Sequence, residues 1–116
     1  MSGEYNWYEA CNIDDLEQDD VIGVEIKGKT YAVYWISFGY YATASLCNHE
    51  QTLLTNGFVN GDTIECPKHN GRFHIPSGKA MRRPVRVDLK TYPVRRKGKV
   101  LFIGFLSGKE DKRKYQ

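Results

Sequence analysis

The chain reads Cys47-Asn48-His49 near its centre and Cys66-Pro67-Lys68-His69 further on, and these two motifs decide its fold and its chemistry. Each motif supplies one thiolate and one imidazole, and residues 50–65, sixteen in number, separate them. Two cysteines and two histidines can bind a [2Fe–2S] cluster, with the thiolates at one iron and the imidazoles at the other. The same four side chains can also bind zinc in a tetrahedral site. The ligand types alone leave both sites open.

The residues around the second motif favour the iron–sulfur cluster over zinc. Zinc fingers commonly place their second ligand pair on a helix, whereas no helical periodicity surrounds Cys66. Turn-forming pairs crowd this part of the chain instead, at Asn56-Gly57, Asn60-Gly61, Asn70-Gly71 and Ser77-Gly78. The two ligand pairs are therefore predicted to lie on two opposing loops.

The stretch Glu65-Cys66-Pro67-Lys68-His69-Asn70-Gly71-Arg72-Phe73 resembles the second cluster-binding loop of the Rieske family. Residues 77–84 resemble the proline-containing loop that covers the cluster in that family, and the resemblance as a whole runs over residues 7–105. The family usually has Gly after the second histidine and Asp after the phenylalanine. This chain has Asn70 and His74 at those two positions.

The resemblance implies an all-β fold, a Rieske-type antiparallel sandwich or barrel with a small loop-rich subdomain that binds the cluster. It also implies that one [2Fe–2S] cluster per chain has four ligands: Cys47, His49, Cys66 and His69. Thiolates stabilise ferric iron and neutral imidazoles are weaker donors. The two cysteines are therefore expected at the iron that stays oxidised, and the two histidines at the iron that accepts the electron.

Alternating apolar and polar residues predict strands over much of the chain. The predicted strands are Val21–Lys27, Thr30–Ile36, Tyr40–Leu46, Thr91–Arg96 and Lys99–Phe105, with turns at Gly28-Lys29 and Lys97-Gly98. Pro93 makes the fourth of them an edge strand or bends it. A short hairpin is predicted around Asn60-Gly61-Asp62, and single helical turns are predicted within residues 13–17 and 50–54.

At 116 residues the chain has the length of one domain and not of two. We expect a single domain over residues 1–107, with the cluster-binding subdomain at about residues 46–84 inside it. Residues 108–116 form a charged tail with little to bury, and we expect this tail to fray.

Composition excludes several classes of function. The hydrophobic content of 41% and the charged content of 27% are ordinary for a globular protein. A net charge of +3 and a pI near 8.7 are too mild for a nucleic-acid binder. No apolar run approaches the ~20 residues that span a bilayer, and no signal peptide is visible at the N-terminus. We therefore expect a cytoplasmic protein that binds neither nucleic acid nor a membrane.

The remaining cysteine and histidine are expected to lie outside the ligand set. Nothing near Cys11 completes a metal site, and an odd cysteine count argues against a disulfide scaffold, so Cys11 is predicted to be a partly buried free thiol. His74 follows Phe73 in a predicted strand, so its side chain should point to the opposite face and be partly exposed. The aromatic residues of the strands, Trp35 and Tyr31 among them, are expected in the core or on the strand surfaces.

Two differences within the ligand loops bear on the redox potential. Respiratory Rieske proteins resemble this chain but have a disulfide between the loops, where this chain has Thr52 and Lys68. They also place Ser and Tyr hydroxyl donors where this chain has Gly71 and Phe73. Because fewer hydrogen bonds stabilise the reduced cluster less, the potential is expected at the low end of the Rieske range, about −150 mV.

The resemblance is closest to the small soluble Rieske ferredoxins. It implies transfer of one electron at a time from an NAD(P)H-dependent flavoprotein reductase to the terminal oxygenase of an aromatic-ring dioxygenase or related monooxygenase. The chain itself is expected to be neither an enzyme nor a binder of a small-molecule substrate. The alternatives are a small Rieske subunit of an assimilatory nitrite reductase and a zinc-stabilised binding module. Four basic residues form either a docking patch or a solvated face: Lys68, Arg72, Arg82 and Arg83.

Overall fold

The computed structural model describes residues 4–37, 39–45, 53–67, 71–82 and 88–106. Within these ranges the regular structure is almost entirely strand, with two short 3₁₀ turns at Ile13–Asp15 and Leu54–Asn56. The strands are β1 (Tyr5–Asn12), β2 (Asp20–Ile26), β3 (Lys29–Ile36), β4 (Gly39–Ala44), β5 (Phe58–Asn60), β6 (Thr63–Glu65), β7 (Arg72–His74), β8 (Ala80–Arg82), β9 (Thr91–Tyr92), β10 (Val94–Lys97) and β11 (Val100–Leu106).

The strands form three antiparallel sheets, which confirms the predicted all-β fold. We call them the outer sheet (β1-β11-β10), the central sheet (β2-β3-β4-β9) and the subdomain sheet (β5-β6-β7-β8). In the part of the chain that is described, no helix is long and apolar enough to cross a membrane.

The central sheet is buried on both faces. Ala32 and Tyr34 of β3 belong to a core cluster that also contains Ile64 and Phe73 of the subdomain sheet. Val33, between them in β3, belongs to a second core cluster together with Leu101 and Ile103 of the outer sheet. Since neighbouring residues of a strand point to opposite faces, the central sheet lies between the outer sheet and the subdomain sheet. The subdomain is thereby supported by a rigid, solvent-excluded layer.

Both predicted long hairpins are present, and each turn lies within one residue of its predicted position. Lys27 and Gly28 connect β2 to β3, and both have positive φ, 52° and 82°. Two consecutive positive φ angles match the twist of the flanking strands in a two-residue hairpin. Gly98, with a φ of 61°, and Lys99 connect β10 to β11, with Val100 opposite Lys97.

Pro93 separates two strands that belong to different sheets. β9, before it, is the edge of the central sheet, and β10, after it, is the edge of the outer sheet. Proline has no N–H to donate to a ladder, so the chain changes sheets at this residue. This confirms the predicted bend.

Other local expectations meet mixed outcomes. The short hairpin is present as β5 and β6, joined by Gly61 and Asp62. The first helical turn is present at Ile13–Asp15, where the Asn12 side chain accepts a hydrogen bond from the Asp14 amide at 2.9 Å.

The second helical turn lies later than predicted, at Leu54–Asn56, and residues 50–52 are outside the described residues. The third predicted strand ends at Ala44, and Leu46 is also outside them.

The alternation of residue types does not predict β1. The strand pairs with β11 over its whole length, but its register shifts between Glu9 and Cys11. A bulge of this kind breaks the period of two on which strand prediction relies. The short strand β8 was also not predicted.

Candidate cluster-binding site

The β6–β7 hairpin positions the second ligand loop. Its ladder pairs Ile64 with Phe73 and Glu65 with Arg72. The amide of Cys66 then donates a hydrogen bond to the carbonyl oxygen of Gly71 at 2.7 Å. Residues 67–70 are left as a four-residue connection that includes His69. The ladder therefore holds both ends of this loop in a defined geometry.

Cys66 lies at the margin of the hydrophobic core. Its residue is only 1% exposed, and it belongs to the same core cluster as Ile64, Phe73 and Leu54. A thiolate ligand at this position would have an apolar wall behind it that excludes water. This burial, together with the loop closure described above, fits a cysteine that ligates an iron–sulfur cluster.

The first ligand loop has its two ends joined in a comparable way. The amide of Leu54 donates a hydrogen bond to the carbonyl oxygen of Ser45 at 2.8 Å. Residues 46–53, which include Cys47 and His49, lie between these two positions in the sequence. Leu54 packs in the same core cluster as Cys66, so the bases of both loops border one core.

Gly57 permits the close approach of these two segments. A Cβ atom at Gly57 would lie 2.1 Å from the carbonyl oxygen of Glu65, the residue immediately before Cys66. No side chain fits within that distance, so glycine is required here by contact rather than by its backbone angles. The segment after Leu54 therefore runs directly against the end of β6, the strand that immediately precedes Cys66.

A third segment, residues 78–89, is anchored at both ends. Gly78 has a φ of +76°, and a Cβ atom there would lie 2.3 Å from the carbonyl oxygen of Leu89. The Leu89 amide donates to the Gly78 carbonyl at 2.7 Å, and the Ala80 amide donates to Asp88 Oδ1 at 2.8 Å. These contacts fix the base of the loop that the sequence predicts to cover the cluster.

The structure describes one of the four predicted ligands. Cys66 is placed as described above, whereas Cys47, His49 and His69 lie outside the described residues. Thr52, Lys68, Asn70 and Arg83 also lie outside them. The donor set of two thiolates and two imidazoles fits a [2Fe–2S] cluster with two chemically different irons.

Gly71 and Phe73, which replace the hydroxyl donors of respiratory relatives, are both buried. Phe73 is completely inaccessible and packs in the core cluster that contains Cys66. The next residue, His74, has a side chain that is 32% exposed. The predicted orientation of these two side chains to opposite faces is therefore confirmed.

Arg72 contributes less positive charge near the second ligand loop than the sequence suggests. Its Nη2 atom lies 3.1 Å from Oε1 of Glu65, across the β6–β7 ladder. The Nε atom of Arg72 is buried and has no hydrogen-bond partner among the described residues. The guanidinium is thus paired with a carboxylate. The basic residues that remain near the loops are Lys68, Arg82 and Arg83, whose side chains are outside the described part.

Cys11 is a free thiol on β1, half-buried against the core between the outer and central sheets, as predicted. Burial raises the pKa of its thiol to about 11, and the negative charge of Asp15 contributes to this rise. The thiol is therefore neutral at physiological pH and is a poor nucleophile and metal ligand.

The strand aromatics of the described part pack against the two cores, as predicted, and several of them also contact one another. Trp35 stacks on Tyr40 with ring centroids 5.7 Å apart, and Tyr31 contacts Tyr92 edge-on at 5.2 Å. Tyr31, Trp35 and Tyr40 pack against the core between the outer and central sheets, and Tyr41 packs against the core of the subdomain. Phe38 lies outside the described residues.

Sequence reasoning missed two partners of His74, Asp62 and Ser77, which lie within hydrogen-bond distance of its ring. The sequence feature that pointed toward Asp62 was the predicted hairpin turn that contains it. Once Ile64 is paired with Phe73, the ladder places His74 opposite Thr63, the residue after Asp62. The sequence patterns did not specify that register.

Comparisons with known proteins agree with this site. The Rieske [2Fe-2S] domain family matches residues 6–93. The ferredoxin component of the naphthalene 1,2-dioxygenase/salicylate 5-hydroxylase systems of a Ralstonia species is 44% identical over 90 residues, which cover 78% of this chain and 86% of the relative.

Solved structures give the same result. The Sphingomonas yanoikuyae B1 ferredoxin superposes with a TM-score of 0.80 at 32% identity, over 84% of this chain and 97% of that one. A chain in the complex of reduced oxygenase and oxidized ferredoxin of carbazole 1,9a-dioxygenase superposes with a TM-score of 0.79 at 31% identity. The superposition covers 84% of this chain and 91% of that one. The chain therefore belongs to the Rieske [2Fe–2S] family, and within it to the ferredoxins, which carry electrons, rather than to the catalytic oxygenases.

Proposed function

We propose that this ferredoxin carries one electron at a time, in the cytoplasm, from an NAD(P)H-dependent flavoprotein reductase to a terminal oxygenase. The oxygenase is an aromatic-ring dioxygenase or a related monooxygenase. The relative from Ralstonia is a ferredoxin component of such systems. The carbazole 1,9a-dioxygenase structure contains an oxygenase and a ferredoxin in one complex.

Cys47 and Cys66 bind one iron in this proposal, and His49 and His69 bind the other. The observation that carries the assignment is the joining of both loop bases beside one core cluster. The Ser45–Leu54 hydrogen bond spans residues 46–53, the Cys66–Gly71 hydrogen bond spans residues 67–70, and Leu54 and Cys66 belong to the same core cluster. This supports a single domain over residues 1–107 with a cluster-binding subdomain at about 46–84 and a charged tail at 108–116.

When bound, the cluster supplies a one-electron redox centre whose histidine-ligated iron takes up the added electron. The protein's own groups keep that centre in place. The Cys66–Gly71 hydrogen bond fixes the second loop, and the wall of Phe73, Ile64 and Leu54 excludes water behind Cys66. Since the side chains of Phe73, Ile64 and Leu54 have no hydroxyl group, none of them supplies the hydroxyl donor of the respiratory relatives, which supports a potential at the low end of the Rieske range.

Electron transfer requires the partner to approach the imidazoles, so the charges nearest the loops affect docking. Arg72 is already paired with Glu65. The other basic residues close to the ligand motifs and to the segment that follows them in the sequence are Lys68, Arg82 and Arg83. Complementary charge mainly accelerates encounter in transient complexes of this kind. We infer that the reductase and the oxygenase both present acidic surfaces to the two ligand loops.

The first test is spectroscopic. The purified protein should be brown and should give a rhombic electron paramagnetic resonance signal after reduction. A colourless protein that binds one zinc ion would establish the zinc-stabilised module instead. Reduction by a reductase of a dioxygenase system, followed by turnover of the oxygenase, should depend on added ferredoxin. Turnover of an assimilatory nitrite reductase in place of the oxygenase would establish the alternative subunit.

The second test concerns docking. Reduction by the reductase should slow as salt concentration rises, and the variant Arg82→Glu/Arg83→Glu should slow it further without a change in potential. A matched control is Arg96→Glu/Lys97→Glu, which reverses an adjacent exposed basic pair on β10 of the outer sheet. If both double variants behave alike, or if salt has no effect, docking does not depend on the basic residues near the loops.

A further inference from the structure

The gap between the outer and central sheets is open at one end of the molecule. A cavity of about 280 Å³ lies there, lined by residues of β1 and β3, by the end of β2 with the turn after it, and by the end of β11. Three of the lining side chains, Tyr8, Tyr31 and Phe105, pack against the core between these two sheets. The cavity is therefore the mouth of that core. The mouths of β-barrels are common places for small-ligand sites.

Aromatic rings form the walls of this cavity. The ring centroids of Tyr8 and Phe105 are 5.6 Å apart, and those of Tyr31 and Phe105 are 5.1 Å apart. The two pairs of rings are inclined by 66° and 57°. A planar ring that enters the cavity can meet such walls edge to face, which is an arrangement that aromatic pairs prefer. The walls therefore favour a planar aromatic ligand.

The size of the cavity limits the ligand to one or two rings. An apolar cavity of ~150 Å³ is large enough to hold benzene. The volume of about 280 Å³ leaves room for one aromatic ring with a polar substituent, or for two fused rings. The cavity thus has the size of a small-molecule site.

Lys27 gives the mouth of the cavity a positive charge. Its Nζ atom lies 4.9 Å from the centre of the Tyr8 ring. A hydrogen bond with the Tyr8 hydroxyl raises the pKa of the Lys27 ammonium group. The described residues that line the cavity include no carboxylate. The lining is therefore complementary to an anion.

The backbone of Lys27 lies in the left-handed region, with a φ of 52°. Asn, Asp and Gly are the usual residues at this position of a two-residue hairpin turn, because most other side chains strain it. The turn itself gives no reason for a lysine here, whereas an anionic ligand in the cavity would.

Asn6 adds a second polar group to the lining. It lies opposite Phe105 in the β1–β11 ladder, and residues directly opposite each other project to the same face of a sheet. Since Phe105 packs against the core, Asn6 lies on the cavity side of the outer sheet. Its side-chain amide can donate a hydrogen bond to an oxygen of the ligand.

We propose that this cavity binds a small aromatic carboxylate such as benzoate, with its ring among Tyr8, Tyr31 and Phe105 and its carboxylate at Lys27. The Tyr8 hydroxyl and the Asn6 amide supply further donors. A neutral aromatic molecule would leave the charge of Lys27 unused. Aromatic rings also attract cations, but Lys27 would repel a cation from this cavity. The proposal is independent of the electron-transfer role.

The cavity and the cluster-binding subdomain lie on opposite faces of the central sheet. Tyr31 packs toward the outer sheet, whereas its neighbour Ala32 belongs to the core cluster that contains Ile64 and Phe73 of the subdomain. A ligand in the cavity should therefore leave the absorption spectrum of the cluster unchanged.

Titration of the full-length, cluster-loaded protein with benzoate tests the proposal. Amide NMR spectra should show saturable shifts for Lys27, Tyr31 and Phe105. Benzamide has a similar shape but no charge, so it should bind roughly fivefold more weakly, the limit for one exposed ion pair. Cyclohexanecarboxylate has the charge but no aromatic ring, so it should bind roughly threefold more weakly.

Lys27→Gln separates the charge of the site from its shape. This variant should bind benzoate roughly fivefold more weakly and should bind benzamide as the wild type does. Lys29→Gln is the matched control, because it removes the same charge from the same hairpin at a residue that does not line the cavity. It should bind both compounds as the wild type does.

The proposal is overturned if benzoate causes no saturable shifts, or if Lys27→Gln and Lys29→Gln bind it equally tightly. A changed cluster spectrum would place benzoate at the cluster and also overturn it. Binding that appears only after deletion of residues 108–116 would make the charged tail the occupant and reject the benzoate site. A protein that binds benzoate as expected but has no [2Fe–2S] spectrum would support this site and reject only the electron-transfer proposal.

Discussion

Cys66 and Gly71 are joined by a backbone hydrogen bond of 2.7 Å, which continues the β6–β7 ladder by one pair beyond Glu65 and Arg72. The ligand loop therefore begins and ends at a fixed separation. A loop of four residues with fixed ends has few accessible conformations, so ordering it around a metal costs little further entropy. A second pair, Ser45 and Leu54, joins the ends of the first loop in the same manner.

The ligand set can be tested by exchanging one donor type for the other. We expect His69→Cys to shift the absorption spectrum toward that of an all-thiolate cluster or to prevent cluster assembly, because a third thiolate replaces a neutral imidazole. Cys11→Ser is the control, since Cys11 lies on β1 outside the subdomain. An unchanged spectrum of His69→Cys would remove His69 from the ligand set, and a cluster lost in Cys11→Ser would add Cys11 to it.

The midpoint potential should respond to a hydroxyl group placed at Phe73. Phe73 packs in the core cluster that contains Cys66, so Phe73→Tyr can bring a donor to the thiolate sulfur. Reduction adds negative charge, and a hydrogen bond to a charged group, ~1.5–3 kcal/mol, favours the reduced state. We therefore expect a potential that is higher by several tens of millivolts, measured by redox titration.

Phe58→Tyr is the matched control for this substitution. Phe58 lies on β5 of the same sheet but is 68% exposed, so its added hydroxyl should reach water and leave the potential unchanged. Equal potentials for Phe73→Tyr and the wild type would place the ring of residue 73 beyond reach of the sulfur. A wild-type potential well above zero would contradict the low-potential interpretation.

Two glycines with similar backbone angles should differ in their tolerance of a side chain. Gly78 has φ +76°, and its Cβ position lies 2.3 Å from the Leu89 carbonyl oxygen. Gly98 has φ +61°, and no neighbouring atom of the described residues lies within 4 Å of its Cβ position. Gly98→Ala should cost about 1 kcal/mol of unfolding free energy, the strain of a left-handed alanine. Gly78→Ala should cost clearly more, because the chain must also move away from Leu89.

Denaturant unfolding of the two alanine variants measures this difference. The Gly78 variant should also lose its cluster faster in the presence of an iron chelator, since the base of residues 78–89 is displaced. Equal unfolding free energies for the two variants would show that the contact of Gly78 with Leu89 is not tight.

The Cys11 thiol should be slow to alkylate. Its pKa of about 11 lies two units above the ordinary 9.0, so near pH 8 it has roughly one hundredth of the usual thiolate fraction. Iodoacetamide labelling of the peptide that contains Cys11 should accelerate greatly when the protein is denatured. Equal rates in the native and denatured protein would contradict the burial of this thiol.

The same shift has a consequence for stability. A thiol whose pKa is raised in the folded state favours folding while it is protonated. Its contribution to the free energy of unfolding is therefore fully present below pH 9 and is lost as the pH rises from 9 toward about 11. Cys11→Ser should make the free energy of unfolding less dependent on pH in this window.

Local sequence chemistry was enough to determine several features of this protein. Gly28 and Gly98 allow the positive φ angles of their hairpin turns, and both hairpins were predicted within one residue. Pro93 lacks an amide proton and so cannot continue the ladder of a central strand. The ligand types and spacing of the two cysteine–histidine motifs, with the turn residues that follow them, indicate the family. Each of these properties depends on residues that are neighbours in the chain.

Only the tertiary structure decided how distant segments meet. Because of the bulge between Glu9 and Cys11, the alternation of residue types does not predict β1. The position of this strand is set by its pairing with β11. The Arg72–Glu65 ion pair and the His74–Asp62 contact arise from the register of two short strands, and the sequence patterns left that register open. A shift of one residue would turn the side chains of one strand to the opposite face relative to its partner. Packing against the central sheet selects one register, because only that one buries Ile64 and Phe73 together.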